Sequence, residues 1–94
     1  MKLRVQYSAQ LRTAAGRPEE EVELPEGSSL AALLGYLAGQ LGDGAAPHLV
    51  APGGEAPRNL LVVVNGSAAS AHEAAATVLR AGDVVLLLPP IAGG

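Results

Sequence analysis

One leucine-rich stretch has the spacing of an amphipathic helix and limits the fold more than any other feature of the chain. Its apolar positions recur every three or four residues, at Leu30, Leu33, Leu34, Leu37 and Leu41. Ser28 or Ser29 precedes the stretch as a candidate N-cap, and Gly42 follows it where a helix stops. Because this helix has a single apolar face, it must lie on a second layer, and we expect that layer to be a sheet.

The segment before this helix predicts two strands joined as a hairpin. In KLRVQYS, Leu3, Val5 and Tyr7 alternate with polar residues, which is the period of a strand with one solvated face. In EEEVEL, Val22 and Leu24 alternate with glutamates in the same way. We interpret the intervening AQLRTAAGRP as a connection, because glycine and proline punctuate its end.

The segment after the helix predicts a loop and then a buried strand. Residues 42–58 hold three prolines and four glycines and show no sustained period, so we expect a loop with one short turn around His48 and Leu49. NLLVVVNG then gives a continuous apolar run closed by Asn65 and Gly66, the pair typical of a tight hairpin turn.

The last strand is predicted at VVLLLPP, after a turn at residues 81–83. Like the run before Asn65, it is continuously apolar, which is typical of a strand that is covered on both faces or lies centrally. Between these two runs, SAASAHEAAATVLR is compatible with a helix or with a short strand followed by a turn. The order of elements predicts an α+β roll with one core and one main helix.

Composition and charge exclude several classes of function. The chain has no cysteine, so disulfides, thiolate metal sites and a cysteine nucleophile are excluded. Its net charge is −3 with six basic residues, which gives no electrostatic footprint for nucleic acid. The amino terminus does not resemble a signal peptide, and no run is long enough to span a membrane, so we expect a cytoplasmic protein without a membrane partner.

Other candidate sites have simpler interpretations. His48 and His72 lack companion ligands at useful spacing, so no metal site is predicted. A second cluster, formed by Ser67, Ser70, His72 and Glu73, has no nucleophile elbow and is interpreted as a solvated loop. Gly53 and Gly54 lack the Lys-Ser/Thr of a phosphate loop and are interpreted as a turn. The glutamates of residues 19–23 are interpreted as a solvated hairpin face, with steering of a basic partner as the alternative.

The C-terminal LLLPPIAGG is the strongest candidate for function. Gly94 ends in an ionised carboxylate that is a poor electrophile but can attack a phosphate, and Gly93 lets the backbone enter a narrow channel. Pro89 and Pro90 end sheet pairing and would project residues 89–94 as a partly stiff tail beyond a domain of residues 1–88. Beside that tail, an apolar stem is predicted to dock to a partner; it comprises Leu88, Pro89, Pro90 and Ile91.

Three stretches together resemble the MoaD/ThiS family of sulfur carriers, nearly end to end: LRTAAGRPEEEVELPEGSSLAALL, VVVNG and AGDVVLLLPPIAGG. The resemblance is strongest to the molybdopterin synthase small subunit. It implies a ubiquitin-like β-grasp roll, with a mixed sheet of four to five strands and one main helix packed across it. It also implies that an E1-like enzyme consumes ATP to adenylate Gly94, which then becomes a thiocarboxylate.

The same resemblance implies the partners and further site residues. The chain would be a co-substrate that binds no cofactor, is not an enzyme by itself, and works with the molybdopterin synthase large subunit (MoaE-like) on a pterin precursor. Arg12 falls where the family has an arginine that contacts the activating enzyme, with an ordinary surface arginine as the alternative interpretation. Residues Pro89 to Ala92 position the tail. Alternatives are a carrier for thiazole, cysteine or transfer RNA pathways, a modifier joined to lysines, and an interaction domain with an inert tail.

Overall fold

The computed structural model describes residues 1–51, 56–57, 59–70 and 73–89. These residues form five strands and three helices. In chain order the elements are β1 (Lys2–Tyr7), α1 (Ala9–Ala15), β2 (Glu19–Glu23), α2 (Leu30–Leu41), α3 (Ala46–Leu49), β3 (Leu61–Val64), β4 (Ser67–Ala69) and β5 (Val84–Leu88).

The five strands form one mixed sheet in the order β2-β1-β5-β3-β4. Strand β1 pairs antiparallel with β2 and parallel with β5, while β3 pairs antiparallel with both β4 and β5. The last strand in sequence therefore lies at the centre of the sheet. Helix α2 packs its leucines with residues of the sheet in one core, which confirms the predicted β-grasp roll.

The alternation predicted for the first hairpin is confirmed. Leu3, Val5 and Tyr7 are buried, and Val22 of β2 is buried opposite Leu3. Leu24 lies just beyond the end of β2 and is also buried. The core-facing side of this hairpin is thus built from alternate residues, as a strand with one solvated face requires.

The connection predicted between these strands is present, but residues 9–15 within it form helix α1, which the sequence pattern did not predict. The helix is short, buries only Leu11, and ends where Gly16 adopts a left-handed φ of 74°. A single buried leucine leaves no repeated stripe, so periodicity could not indicate a helix here. Its alanine content favours the helical conformation, and burial of Leu11 holds it against the core.

Helix α2 begins and ends as the sequence predicts. Ser29 is the N-cap, and its hydroxyl accepts a hydrogen bond from the Ala32 amide at 3.1 Å. Gly42 is the C-cap with a φ of 80°. Four leucines of the predicted stripe are fully buried and Leu41 is half-buried: the buried ones are Leu30, Leu33, Leu34 and Leu37.

The loop of residues 42–58 contains the short turn predicted around His48 and Leu49. It is helix α3, which places Leu49 and the preceding Ala45 in the core. The glycines predicted as a turn, Gly53 and Gly54, lie outside the described residues.

The ambiguous segment takes the second of its two predicted forms, a short strand followed by turns. Asn65 and Gly66 have φ angles of 51° and 86°, and they connect β3 to the three-residue strand β4. Further along, Ala74 and Leu79 enter the core. His72 lies outside the described residues.

Strands β3 and β5 lie inside the sheet with a neighbour on each side, as their apolar runs predict. The core nevertheless forms on one face only: Val62 of β3 and Leu87 of β5 are fully buried, while Leu61 is 49% exposed. Successive residues of a strand point to opposite faces. The same two strands therefore present apolar side chains on the face away from the core.

Candidate functional site

Strand β5 delivers the chain to the point where the predicted tail begins. Val85 and Leu87 are fully buried, so the strand is held firmly in the sheet up to its last residue, Leu88. Pro89 follows and is also buried. Because proline has no amide hydrogen, it cannot donate a further ladder bond at this point.

Residues on both sides of β5 hold this point, which we call the tail root and define as Leu87, Leu88 and Pro89. On the β1 side, Tyr7 lies opposite Leu87. On the β3 side, Leu61 lies opposite Leu88. The Ser8 hydroxyl also donates a hydrogen bond to the Leu87 carbonyl oxygen at 3.1 Å, so the tail root is fixed by backbone and side chain together.

An apolar patch lies beside the tail root on the face away from the core. Val63 pairs with Leu86, and Leu61 pairs with Leu88, so these side chains share one face of adjacent strands. All of them are exposed or half-exposed. We call these four residues the open-face patch.

Charged residues of β1 and β2 extend the same face. Arg4 makes an ion pair with Glu19 at 2.7 Å, and Lys2 lies 3.8 Å from Glu21. These side chains are about half exposed or more, so such pairs contribute little to stability. The interpretation of the glutamate run as a solvated hairpin face fits Glu19 and Glu21.

Glu20 is different, because it belongs to the side of β2 that faces the core. The Tyr7 hydroxyl donates a hydrogen bond to its carboxylate at 2.6 Å. Burial raises the pKa of Tyr7 above the ordinary tyrosine value, and the bond to Glu20 raises that pKa further. The alternation in EEEVEL carried the signal that Glu20 turns inward, because Glu20 is two residues before Val22 and lies on the same side of the strand.

Two residues of the predicted docking stem fall within the described chain. Leu88 is half-buried and belongs to the open-face patch, whereas Pro89 is buried. Arg12 is exposed on α1, one helical turn after Ser8. The remaining predicted site residues lie outside the described residues: Pro90, Ile91, Ala92, Gly93 and Gly94.

The sequence did not lead us to Ser8 or to three members of the open-face patch, namely Leu61, Val63 and Leu86. The patch had a signal, because the predicted strands were apolar at every position and only one helix was available to cover them. Ser8 had none, since its bond to Leu87 joins residues 79 positions apart.

Neither a cluster of metal-ligating side chains nor a membrane-spanning helix is found among the residues that the structure describes. Across them, no three His, Asp or Glu side chains are grouped so as to hold a metal ion. No helix formed by residues that the structure describes has the length and apolar character needed to cross a bilayer.

Comparison with known proteins decides between the families that share such a roll. The model of the ThiS family matches residues 5–94, which is nearly the whole chain. The chain is a member of the ThiS family. This confirms, at the level of the family, the resemblance to MoaD/ThiS carriers. Curated proteins give no significant sequence match to this family member.

Solved structures share the fold of this ThiS-family chain over its full length. Small archaeal modifier protein SAMP1 from Haloferax volcanii is 24% identical, with all of both chains covered and a TM-score of 0.83. SAMP1 from Methanosarcina acetivorans is 26% identical, with 99% of this chain and 96% of that chain covered and a TM-score of 0.75. A protein described as molybdopterin converting factor, subunit 1, from Pyrococcus furiosus is 29% identical, covering 97% of this chain and 99% of its own, with a TM-score of 0.74.

Proposed function

We propose that this protein is a sulfur carrier whose C-terminal Gly94 is adenylated and then converted to a thiocarboxylate. Membership of the ThiS family over residues 5–94 is the observation that carries the proposal. The tail root supports it, because the strand before the predicted tail is anchored at the centre of the sheet. A firm anchor lets a short tail reach a partner's active site while the domain stays bound on the surface of that partner.

The chemistry follows from the properties of a carboxylate. A carboxylate oxygen of Gly94 attacks the α-phosphorus of ATP, and pyrophosphate leaves. The resulting acyl adenylate has AMP as a good leaving group, so a sulfur nucleophile can displace AMP and leave sulfur in place of one oxygen. Gly93 and Gly94 carry no side chain that would obstruct this approach. ATP is consumed by the E1-like partner, and the carrier itself binds no cofactor.

We further propose that the activating enzyme docks on the open-face patch. The patch is apolar, lies on a face without a covering helix among the described residues, and ends at Leu88 beside the tail root. A partner seated there would meet the tail as it leaves the sheet. Arg12 is exposed on the neighbouring helix and is proposed as an additional contact.

Intact mass spectrometry tests the carrier role directly. The purified chain is incubated with ATP, a sulfur donor and an E1-like activating enzyme, and the mass is expected to rise by the exchange of one oxygen for sulfur. A variant lacking Gly94 is the matched control and should show no exchange. An unchanged mass with an enzyme that activates another ThiS-family carrier under the same conditions would overturn the proposal.

The sulfur acceptor is proposed to be a pterin precursor, with the molybdopterin synthase large subunit as partner. The support is the full-length likeness to the Pyrococcus furiosus protein described as molybdopterin converting factor, subunit 1. Reconstitution with a large subunit tests this step, and pterin sulfuration is expected from the thiocarboxylated chain but not from the carboxylate form. An ATP-consuming partner also fits the expected cytoplasmic location.

A protein modifier is the second candidate, favoured by the likeness to SAMP1 from Methanosarcina acetivorans. The same activated carboxylate would then form an amide bond with lysines of target proteins, with release of the activating group. Lys2 is the only lysine of this chain, so self-conjugation through a lysine side chain is restricted to that position. Branched adducts in the mass experiment, without sulfur exchange, would favour this function over the carrier role.

A further inference from the structure

The junction between β1 and α1 lies beside the tail root and departs from ordinary helix capping. Ser8 occupies the N-cap position of α1, with an extended backbone at φ −137° and ψ 161°. An N-cap serine normally accepts a hydrogen bond from an amide in the first turn, but here the side chain makes no cap bond. Its hydroxyl instead donates to the carbonyl oxygen of Leu87.

The backbone at this junction is also unusual. Ala9 has a φ of 51°, in the left-handed region that residues other than glycine rarely adopt. Such a conformation persists only where its surroundings determine it. Here Tyr7 on one side and Leu11 on the other are both buried, and the Leu11 amide donates to the Ser8 carbonyl at 3.1 Å. The turn is therefore fixed at both ends, and it presents the Ser8 hydroxyl to β5.

The bond to Leu87 extends the contact between β1 and β5 past its last paired residues. The parallel ladder starts where the Arg4 backbone amide donates to the Asp83 carbonyl at 2.9 Å. Its final pair is Tyr7 opposite Leu87. The chain of β1 then turns away into α1. The Ser8 side chain thus supplies one more attachment on the β1 side of the strand, immediately before Leu88 and Pro89.

We propose that Ser8 is a positioning residue that fixes the direction in which β5 releases the tail. The inference rests on the proposed carrier function, because it concerns how Gly94 is aimed at a nucleotide in the activating enzyme. Without the hydroxyl, the end of β5 keeps its pairing with Tyr7 but loses the last attachment on the β1 side, and it samples more directions. Fewer encounters would then be in line for attack on the phosphate. Docking on the open-face patch would be unchanged.

Two measurements on the full chain test this role, one of which does not depend on the carrier function. Amide hydrogen exchange at Leu87 and Leu88 in the isolated protein is expected to be roughly 3- to 10-fold faster in Ser8→Ala, as loss of one ordinary hydrogen bond predicts. In steady-state adenylation, the same variant is expected to lower kcat by a similar factor while leaving KM for the carrier unchanged. Ser8→Thr retains the hydroxyl and should show the native exchange rate at Leu87 and Leu88 and the native kcat.

Thr13→Ala is the matched control, because it removes a hydroxyl from an exposed position of the same helix. It should change neither exchange at the tail root nor kcat. The proposal is overturned if Ser8→Ala leaves exchange at Leu87 and Leu88 unchanged, or if Ser8→Thr behaves like Ser8→Ala. If the native chain is not adenylated at all, the carrier function fails, while accelerated exchange in Ser8→Ala would still support the attachment of β5 by Ser8.

Discussion

Leu61 and Leu88 face each other across the β3–β5 ladder on the side of the sheet away from the core. Leu61 is 49% exposed, although it sits in a strand whose next residue, Val62, is fully buried. An apolar pair of this kind contributes little to the core, and it lies at the tail root, before the predicted tail. The docking proposed for the open-face patch would give this pair a role that folding does not require.

Leu61→Ser should separate docking from folding. Since half of the side chain is already exposed, the free energy of unfolding should fall by less than about 1 kcal/mol. The KM of the activating enzyme for the carrier should rise roughly tenfold, because an apolar contact at the interface is lost.

Val78→Ser is the control for Leu61→Ser. Val78 is 61% exposed and pairs with Ser29 beside the start of α2, outside the open-face patch. Val78→Ser should leave the KM of the activating enzyme for the carrier at the native value. Equal KM values for the two variants would contradict docking on the open-face patch.

Tyr7→Phe should change how stability depends on pH. Burial and the bond to Glu20 raise the pKa of Tyr7, so the folded protein keeps the phenol proton where the unfolded chain loses it. The resulting stabilisation is complete below about pH 10 and is lost as pH rises further, by up to about 1.4 kcal/mol per pH unit. Urea unfolding of native protein and Tyr7→Phe across this range should show a steeper decline for the native protein.

Tyr36→Phe removes a phenol that is 41% exposed and controls for the loss of a tyrosine. The alkaline decline should be flattened more by Tyr7→Phe than by Tyr36→Phe. Identical pH profiles for all three proteins would show that the buried phenol of Tyr7 does not control alkaline stability.

Asn65 should tolerate glycine better than alanine. It adopts a left-handed φ of 51°, its Oδ1 accepts from the Val84 amide at 2.8 Å, and its Nδ2 donates to Asp83 at 2.8 Å. Asn65→Gly loses the two side-chain bonds, which costs about 2 kcal/mol in all. Asn65→Ala loses the same bonds and adds left-handed strain of about 1 kcal/mol. Thermal or urea unfolding should rank the proteins native, glycine, alanine; equal stability of the two variants would contradict strain at this turn.

Ala9→Gly should stabilise the protein. A left-handed alanine costs about 1 kcal/mol, and glycine adopts the same φ without that cost, although its unfolded chain is more flexible. We expect a net gain of roughly 0.5 kcal/mol in the free energy of unfolding. Ala14→Gly on the same helix has no such strain to relieve and should lower stability. A loss of stability in both variants would argue against strain at residue 9.

The elements with a repeated pattern were predictable from sequence. Alternation revealed β1 and β2, and the leucine stripe with Ser29 and Gly42 gave α2 with both its ends. Helix α1 was missed because only Leu11 reaches the core, and β4 was ambiguous because a few serines and alanines carry no period. The parallel pairing of β1 with β5 was beyond such reasoning, since no local signal reports which distant strand becomes a neighbour.

Only the part of the candidate site that adjoins the predicted tail in the sequence could be predicted. Leu88 and Pro89 were singled out as the stem of a tail, and the structure places them at the end of a central strand. The partners of that stem came from elsewhere in the sequence. The register of β3 and β5 places Leu61 opposite Leu88. Ser8 bonds to Leu87 from a turn whose backbone geometry no sequence motif predicts.

The central position of β5 also sets the time at which the protein can mature on the ribosome. Strands β1 and β3 are not neighbours in the sheet and are joined only through β5, so the sheet cannot be completed before the final strand has been synthesised. Translation products that stop before residue 84 would lack this central strand and could not form the five-stranded sheet. Every copy that completes the sheet has therefore already synthesised the strand that precedes the predicted tail.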